Sequence, residues 1–183
     1  MIQDLKSVSQ LSCRNNWEYA GKLNIRPKGP KLVYRGITHH TSKKKDAIDP
    51  DVLRVAWDGP VTYHTHPCTL DGYHTSLPSD ADFKAYIKGF PHLRTNIVCD
   101  RDGFYVVRLT DIEALPVPHR VQEIMGDIRT EPFLWARRVN HEGAEYFETH
   151  PEEWTEFVND DLHPRLLDLF GISVSYHDYI NVR

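Results

Sequence analysis

Val61-Thr62-Tyr63-His64-Thr65-His66-Pro67 and, after an eleven-residue connection over 68–78, Ser79-Asp80-Ala81-Asp82-Phe83 decide how this chain is read. The first segment is rich in β-formers and runs into a proline, which cannot donate to a sheet ladder, so it predicts a strand that stops at Pro67. Strand side chains repeat every second residue, so His64 and His66 share one face. Ser79 predicts the start of a helix with Asp82 in its first turn. The pattern has the form of a capping box with aspartate in place of the usual glutamate. Two imidazoles at a strand end and one carboxylate at a helix start can give three ligands to one metal ion. Zinc held by three protein ligands keeps a fourth position for water, which is the arrangement of a catalytic site.

The neighbouring elements follow from periodicity. Phe83, Tyr86, Ile87 and Phe90 fall at i, i+3, i+4 and i+7, a helical stripe closed by Pro91. Thr95 to Cys99 and Phe104 to Leu109 read as two strands of a hairpin around the turn Asp100-Arg101-Asp102-Gly103. Upstream, Asp49-Pro50 opens a short helix with proline at its first position, and Gly59-Pro60 ends it. Residues 38–49 are polar, and Lys43-Lys44-Lys45 within them predicts a solvated loop. Ile2, Leu5, Val8 and Leu11 predict a first helix over 2–12. Residues 17–25 read as a strand with Glu18 near its beginning, and Leu32 to Arg35 as its hairpin partner. Beyond Pro116 and Pro118 the chain turns more helical. Val121, Ile124, Met125 and Ile128 form one stripe, Trp154, Phe157, Val158 and Leu162 a second, and Leu166, Leu167, Leu169 and Phe170 a third after Pro164. Ile172 to Tyr176 reads as a last strand. His141-Glu142 begins like a zinc-helix motif, but the position four after His141 is Glu145, and Gly143 weakens a helix there.

The 183 residues fit one domain, and 40% hydrophobic residues suffice for a core. A net charge of −4 argues against a nucleic-acid binder. No apolar run is long enough for a membrane-spanning helix, and the first residues lack the apolar centre of a signal peptide. Cys13, Cys68 and Cys99 are an odd number, widely spaced, and read as reduced thiols of a cytoplasmic protein. Cys68, directly after the histidine motif, reads as a small buried hydrophobe ahead of a soft metal ligand. His74 in the same connection is a candidate substrate contact.

The order His64, His66-Pro67, loop, Pro78-Ser79, Asp82 resembles the signature of the JAMM metallopeptidases, also called the JAB or MPN domain family, over residues 15–110. Glu18, with Gly21 shortly after it, stands where that family carries an upstream glutamate. The 68–78 connection is longer than in the family's better-known members, and it is read either as a flap over the metal or as a displacement of Asp82. The resemblance implies an α/β fold of MPN/JAB type, with a mixed, curved sheet flanked by helices and cytidine-deaminase-like layering. Residues 1–115 would form the core, and 116–183 a helical C-terminal extension packed on the same domain. It implies Zn²⁺ on His64, His66 and Asp82, Glu18 as general base, and Ser79 as donor to the developing oxyanion. It further implies hydrolysis of an amide or isopeptide bond at the C-terminal tail of ubiquitin or a ubiquitin-like protein. The alternative is a non-catalytic interaction module on the same fold.

Overall fold

The computed structural model describes residues 1–45, 47–68, 78–110, 113 and 151–180. The stripe over 121–128, the 141–145 segment, and residues 69–77 with His74 lie outside them, and so does any flap built from that connection.

Helix α1 (Ile2–Asn15) buries Leu5 and Val8 and ends at Asn16, whose left-handed backbone (φ 54°) suits asparagine better than most residues. Strands β1 (Ala20–Lys28) and β2 (Lys31–Ile37) form the expected antiparallel hairpin. Along its length β1 changes partner. Its first residues, Ala20 to Lys22, pair with β3 (Val61–Thr65), and the rest pairs with β2. Gly21 sits where the chains crowd: a Cβ there would run into the Thr38 carbonyl and lie 2.8 Å from the Tyr63 ring.

The strand expected over 17–25 thus begins at Ala20, and Glu18 precedes it. The polar stretch before α2 (Pro50–Ala56) explains the difference. The Glu18 N–H donates to the Lys44 carbonyl at 2.9 Å, and the Lys43 ammonium lies 5.8 Å over the Trp17 ring. The lysine run therefore packs along the segment that carries Glu18 and does more than face solvent.

Helix α3 (Asp80–Gly89) connects β3 to β4 (Thr95–Cys99), which lies parallel to it. Strands β5 (Gly103–Leu109) and β6 (Ile172–Asp178) complete an antiparallel run, giving the order β2-β1-β3-β4-β5-β6. The molecule is therefore a mixed α/β structure with a six-stranded sheet flanked by helices. Strand alternation sorts the core into two layers. Tyr63, Ile97, Cys99 and Phe104 pack with Leu5 and Val8 of α1. Val98, Tyr105, Val107 and Leu109 join Phe83 and Tyr86 of α3 and the C-terminal helices.

Those C-terminal residues form one helical run: α4 (Pro151–Glu156), a π-helical stretch (Phe157–Leu162) and α5 (His163–Phe170), capped by Gly171 at φ 61°. Pro164, which stands between the second and third stripes, sits in the first turn of α5, where its missing N–H matters least. The sequence after this run supplies the sixth strand, so residues 151–180 contribute to the sheet as well as to a helical layer.

Reduced thiols were the expectation for all three cysteines. Cys13 and Cys68 are instead disulfide-bonded, with Cα atoms 4.7 Å apart, and only Cys99 is free and buried. Their separation of 55 residues hides the pairing in the sequence. The bridge forms because the end of α1 lies against the end of β3. There the Thr65 hydroxyl donates to Ser12 Oγ at 2.8 Å, and the Ser12 hydroxyl donates to the Trp17 carbonyl at 2.7 Å. Among the described residues no helix is long and apolar enough to cross a membrane.

Candidate metal centre

His64 is the fourth residue of β3 and His66 follows the strand directly, so both imidazoles leave the sheet on the α3 side. Ser79 is the N-cap of α3, and the capping box is complete. The Asp82 N–H donates to Ser79 Oγ at 3.2 Å, and the Ser79 N–H donates to Asp82 Oδ2 at 2.7 Å. Such a cap is worth about 1 kcal/mol. It also fixes Asp82: the Ser79 hydroxyl donates to the same Oδ2 at 2.7 Å. The helix start thus holds the carboxylate against the strand end.

Three side chains converge. His64 Nε2 and His66 Nε2 are 3.2 Å apart, His64 Nε2 and Asp82 Oδ1 3.3 Å, and His66 Nε2 and Asp82 Oδ2 3.6 Å. This is the group among the described residues that could hold a metal ion. Burial alone would raise the Asp82 carboxyl, but the imidazoles of His64 and His66 hold it well below the usual carboxylate range. It therefore stands ionised, as a metal ligand must be.

A cavity of about 330 Å³ opens over these groups. Glu18, Ser79, His64, His66 and Asp82 supply its polar lining, so all five residues singled out in the sequence meet at one place. Ala47, Ile48, Leu53 and Trp57, on and around α2, and Ala81 and Ala85 of α3 supply its apolar lining. Trp57 is held by its indole N–H donating to the Tyr63 carbonyl at 3.4 Å, and its ring centroid is 6.0 Å from that of His64. Burial, reinforced by the charges of Asp82 and Glu18, pushes the Tyr86 phenol well above its ordinary value, so it stays a neutral hydroxyl behind the site.

Several contributors escaped the sequence reading. Ala47 and Ile48 lie in the stretch read as a loop, and Trp57 sits just beyond the short helix. Asn96 on β4 lies 3.1 Å from His64 Nδ1 through its Oδ1. One signal for it was available: an amide side chain beside the apolar run Ile97-Val98-Cys99 needs a partner once buried. Cys68, weighed as a ligand, is taken up by the disulfide.

No protein-family model matches the chain, and no curated protein matches it in sequence.

Proposed function

We propose that this chain is a zinc-dependent peptidase or isopeptidase of JAMM type, acting on an amide or isopeptide bond at the C-terminal tail of ubiquitin or a ubiquitin-like protein. One observation carries the reading. Tetrahedral zinc with ligands at about 2.0–2.1 Å holds them about 3.3 Å from one another. The contacts among His64, His66 and Asp82 run at 3.2, 3.3 and 3.6 Å, the last two through different carboxylate oxygens, and one donor atom from each residue lies within 4.8 Å of the others, so three ligands stand close to that spacing. Two neutral nitrogen donors and one carboxylate suit zinc chemically.

Bound there, zinc would supply Lewis-acid activation, lowering the pKa of a water molecule towards about 7. The remaining work falls to this chain's own groups. Glu18, on the rim of the same cavity, takes the proton of the attacking water and returns it to the leaving amine. Ser79 lines the same cavity; its one hydroxyl proton, given to Asp82 Oδ2 in this structure, would turn to a developing oxyanion, a contribution of about 3 kcal/mol in comparable sites, while the Ser79 N–H goes on holding Asp82. The small side chains of Ala47, Ala81 and Ala85 leave room for a narrow, extended tail.

Metal content by mass spectrometry tests the site. Wild type holds about one zinc per chain by this ligand count, Asp82→Ala and His66→Ala lose it, and Glu18→Ala keeps it while losing cleavage of ubiquitin-like fusions and isopeptide conjugates. A wild type that takes up no zinc when supplied with it, or cleavage that survives Glu18→Ala, would sink the mechanism.

A further inference from the structure

A metal-ligating imidazole must carry its one proton on the nitrogen that faces away from the metal. The metal-facing nitrogen of His64 is Nε2, beside His66 and Asp82. The Asp82 carboxylate lies 3.3 Å from it and is an acceptor that would draw the proton to this wrong nitrogen. A competing acceptor at Nδ1 is therefore required. The sheet provides one.

Asn96 Oδ1 lies 3.1 Å from His64 Nδ1. The amide is oriented in turn by Thr62, whose Oγ1 accepts from Asn96 Nδ2 at 2.7 Å. Thr62 and Asn96 are register partners of the parallel β3–β4 pair, and His64 follows Thr62 on the same face. All three are withdrawn from water: Thr62 is 0%, Asn96 1% and His64 3% exposed. Deep in the sheet an unmet hydrogen-bonding group costs about 1–3 kcal/mol, so the amide keeps both neighbours, and with Nδ2 on Thr62 its oxygen faces Nδ1. An amide oxygen only accepts, so the ring nitrogen facing it must be N–H. The Tyr86 hydroxyl is also within reach of Nδ1, at 3.5 Å, but as the longer contact.

We infer that Asn96, held by Thr62, is a positioning residue that fixes His64 as its Nδ1–H tautomer and so presents Nε2 as a ready metal ligand. This rests on the reading of His64 as a ligand, but the tautomer is present without metal and can be observed without it.

The test is long-range ¹H–¹⁵N NMR on histidine-labelled, chelator-treated protein at pH 8, with His64 assigned by His64→Gln. Wild type shows a protonated Nδ1 and a bare Nε2. Asn96→Leu, of similar shape and without an acceptor, moves the proton to Nε2. Asn96→Asp, which keeps an acceptor, retains the wild-type tautomer. Zinc titration against a chromophoric chelator reads the consequence: Asn96→Leu binds about 10–100-fold more weakly, the usual cost of losing such an outer partner, while Asn96→Asp recovers most of the affinity. An Nε2–H tautomer in wild type, or an unchanged one in folded Asn96→Leu, overturns the inference. If Asn96→Leu fails to fold, the wild-type spectrum and Thr62→Val decide. Thr62→Val frees the amide to turn and must give mixed tautomers; a single Nδ1–H form there counts against the proposal. Wild type that shows Nδ1–H yet binds no zinc overturns the metal reading alone and supports the tautomer assignment.

Discussion

Asp100 shows how one buried acid shapes stability. It follows Cys99 at the end of β4 and is 3% exposed. Its Oδ1 accepts from the N–H groups of Asp102 at 3.0 Å and Gly103 at 2.7 Å, and from the Tyr176 hydroxyl at 3.3 Å. Its Oδ2 has no hydrogen-bond partner among the described residues. Burial pushes the carboxyl up to about 7, only partly offset by the two backbone donors. The sign of the linkage follows. In the unfolded chain the group ionises near 3.8, and in the fold near 7, so the native state binds the extra proton between those values. Stability from this group is full below about pH 4 and falls as pH rises through 7. Asp100→Asn keeps an acceptor for the turn and cannot ionise. It should gain stability relative to wild type as pH is raised from 4 to 8, by an amount on the order of a few kcal/mol. Urea unfolding of both proteins across that range measures it; two parallel stability profiles would show that Asp100 does not titrate in the fold. The same principle separates the legible from the illegible at this scale. His64, His66, Ser79 and Asp82 are local to one segment and could be read together. Asn96 finds its partners across the sheet, and Asp100 owes its raised carboxyl to burial there, which no local pattern announces.

Elements show two devices that periodicity could not forecast. Strand β6 is an edge, and an open edge offers unpaired N–H and C=O groups to other chains. The π-helical stretch and α5 cover it. Asn159 Oδ1 accepts from the Tyr176 N–H at 2.9 Å, Asn159 Nδ2 donates to the Tyr176 carbonyl at 3.2 Å, and His163 Nδ1 accepts from the Val174 N–H at 3.3 Å. A strand reading of residues 172–176 was available from alternation, but the side-chain clasp depends on a π-helical register that a 3.6-residue pattern does not encode. Asn159→Leu should cost about 2–4 kcal/mol, from about 1–2 kcal/mol for each of two backbone groups left bare. It should also raise the tendency to self-associate, read by chemical unfolding and by light scattering at rising concentration. Unchanged stability would mean water serves that edge equally well. The second device is the Cys13–Cys68 bridge, which ties α1 to the segment leaving His66. With the cysteines 55 positions apart, the chain-entropy argument gives about 4 kcal/mol of stabilisation as a ceiling. Reduction with a dithiol should therefore lower the unfolding midpoint of wild type and leave the double variant Cys13→Ser, Cys68→Ser unmoved. A midpoint indifferent to reductant would remove the bridge from the account of stability.

Across the whole molecule the sheet is a partition. One face packs on α1, and the other carries α3, the C-terminal helices and the candidate site. The mixed α/β architecture was legible because β3, α3, β4 and β5 each have a clear period and clear stops. The layer made by residues 151–170 was legible as helices but not as the cover of a sixth strand. Strand order was invisible, since it depends on pairings such as β1 with β3, set by the close approach at Gly21. The site lies where this partition is crossed: two ligands end β3, and the third starts the helix that carries the chain over to β4. A metal ion there would join two elements that the backbone joins only through the connection over 66–79. Binding would then stabilise the fold as a whole, since the unfolded chain cannot hold the three ligands together. At a free zinc concentration one hundred times the Kd, linkage supplies about 2.7 kcal/mol, which for a domain of this length raises Tm by about 5–11 °C. The increase should vanish with EDTA and be absent in Asp82→Asn, which keeps the size of the side chain and loses its charge. The slope of a urea transition should stay the same with and without zinc, because the surface exposed on unfolding does not change. A wild-type Tm that ignores zinc while Asp82→Asn is folded would mean that the convergence of His64, His66 and Asp82 is maintained by hydrogen bonding alone, through the Ser79 cap on one side and Asn96 on the other.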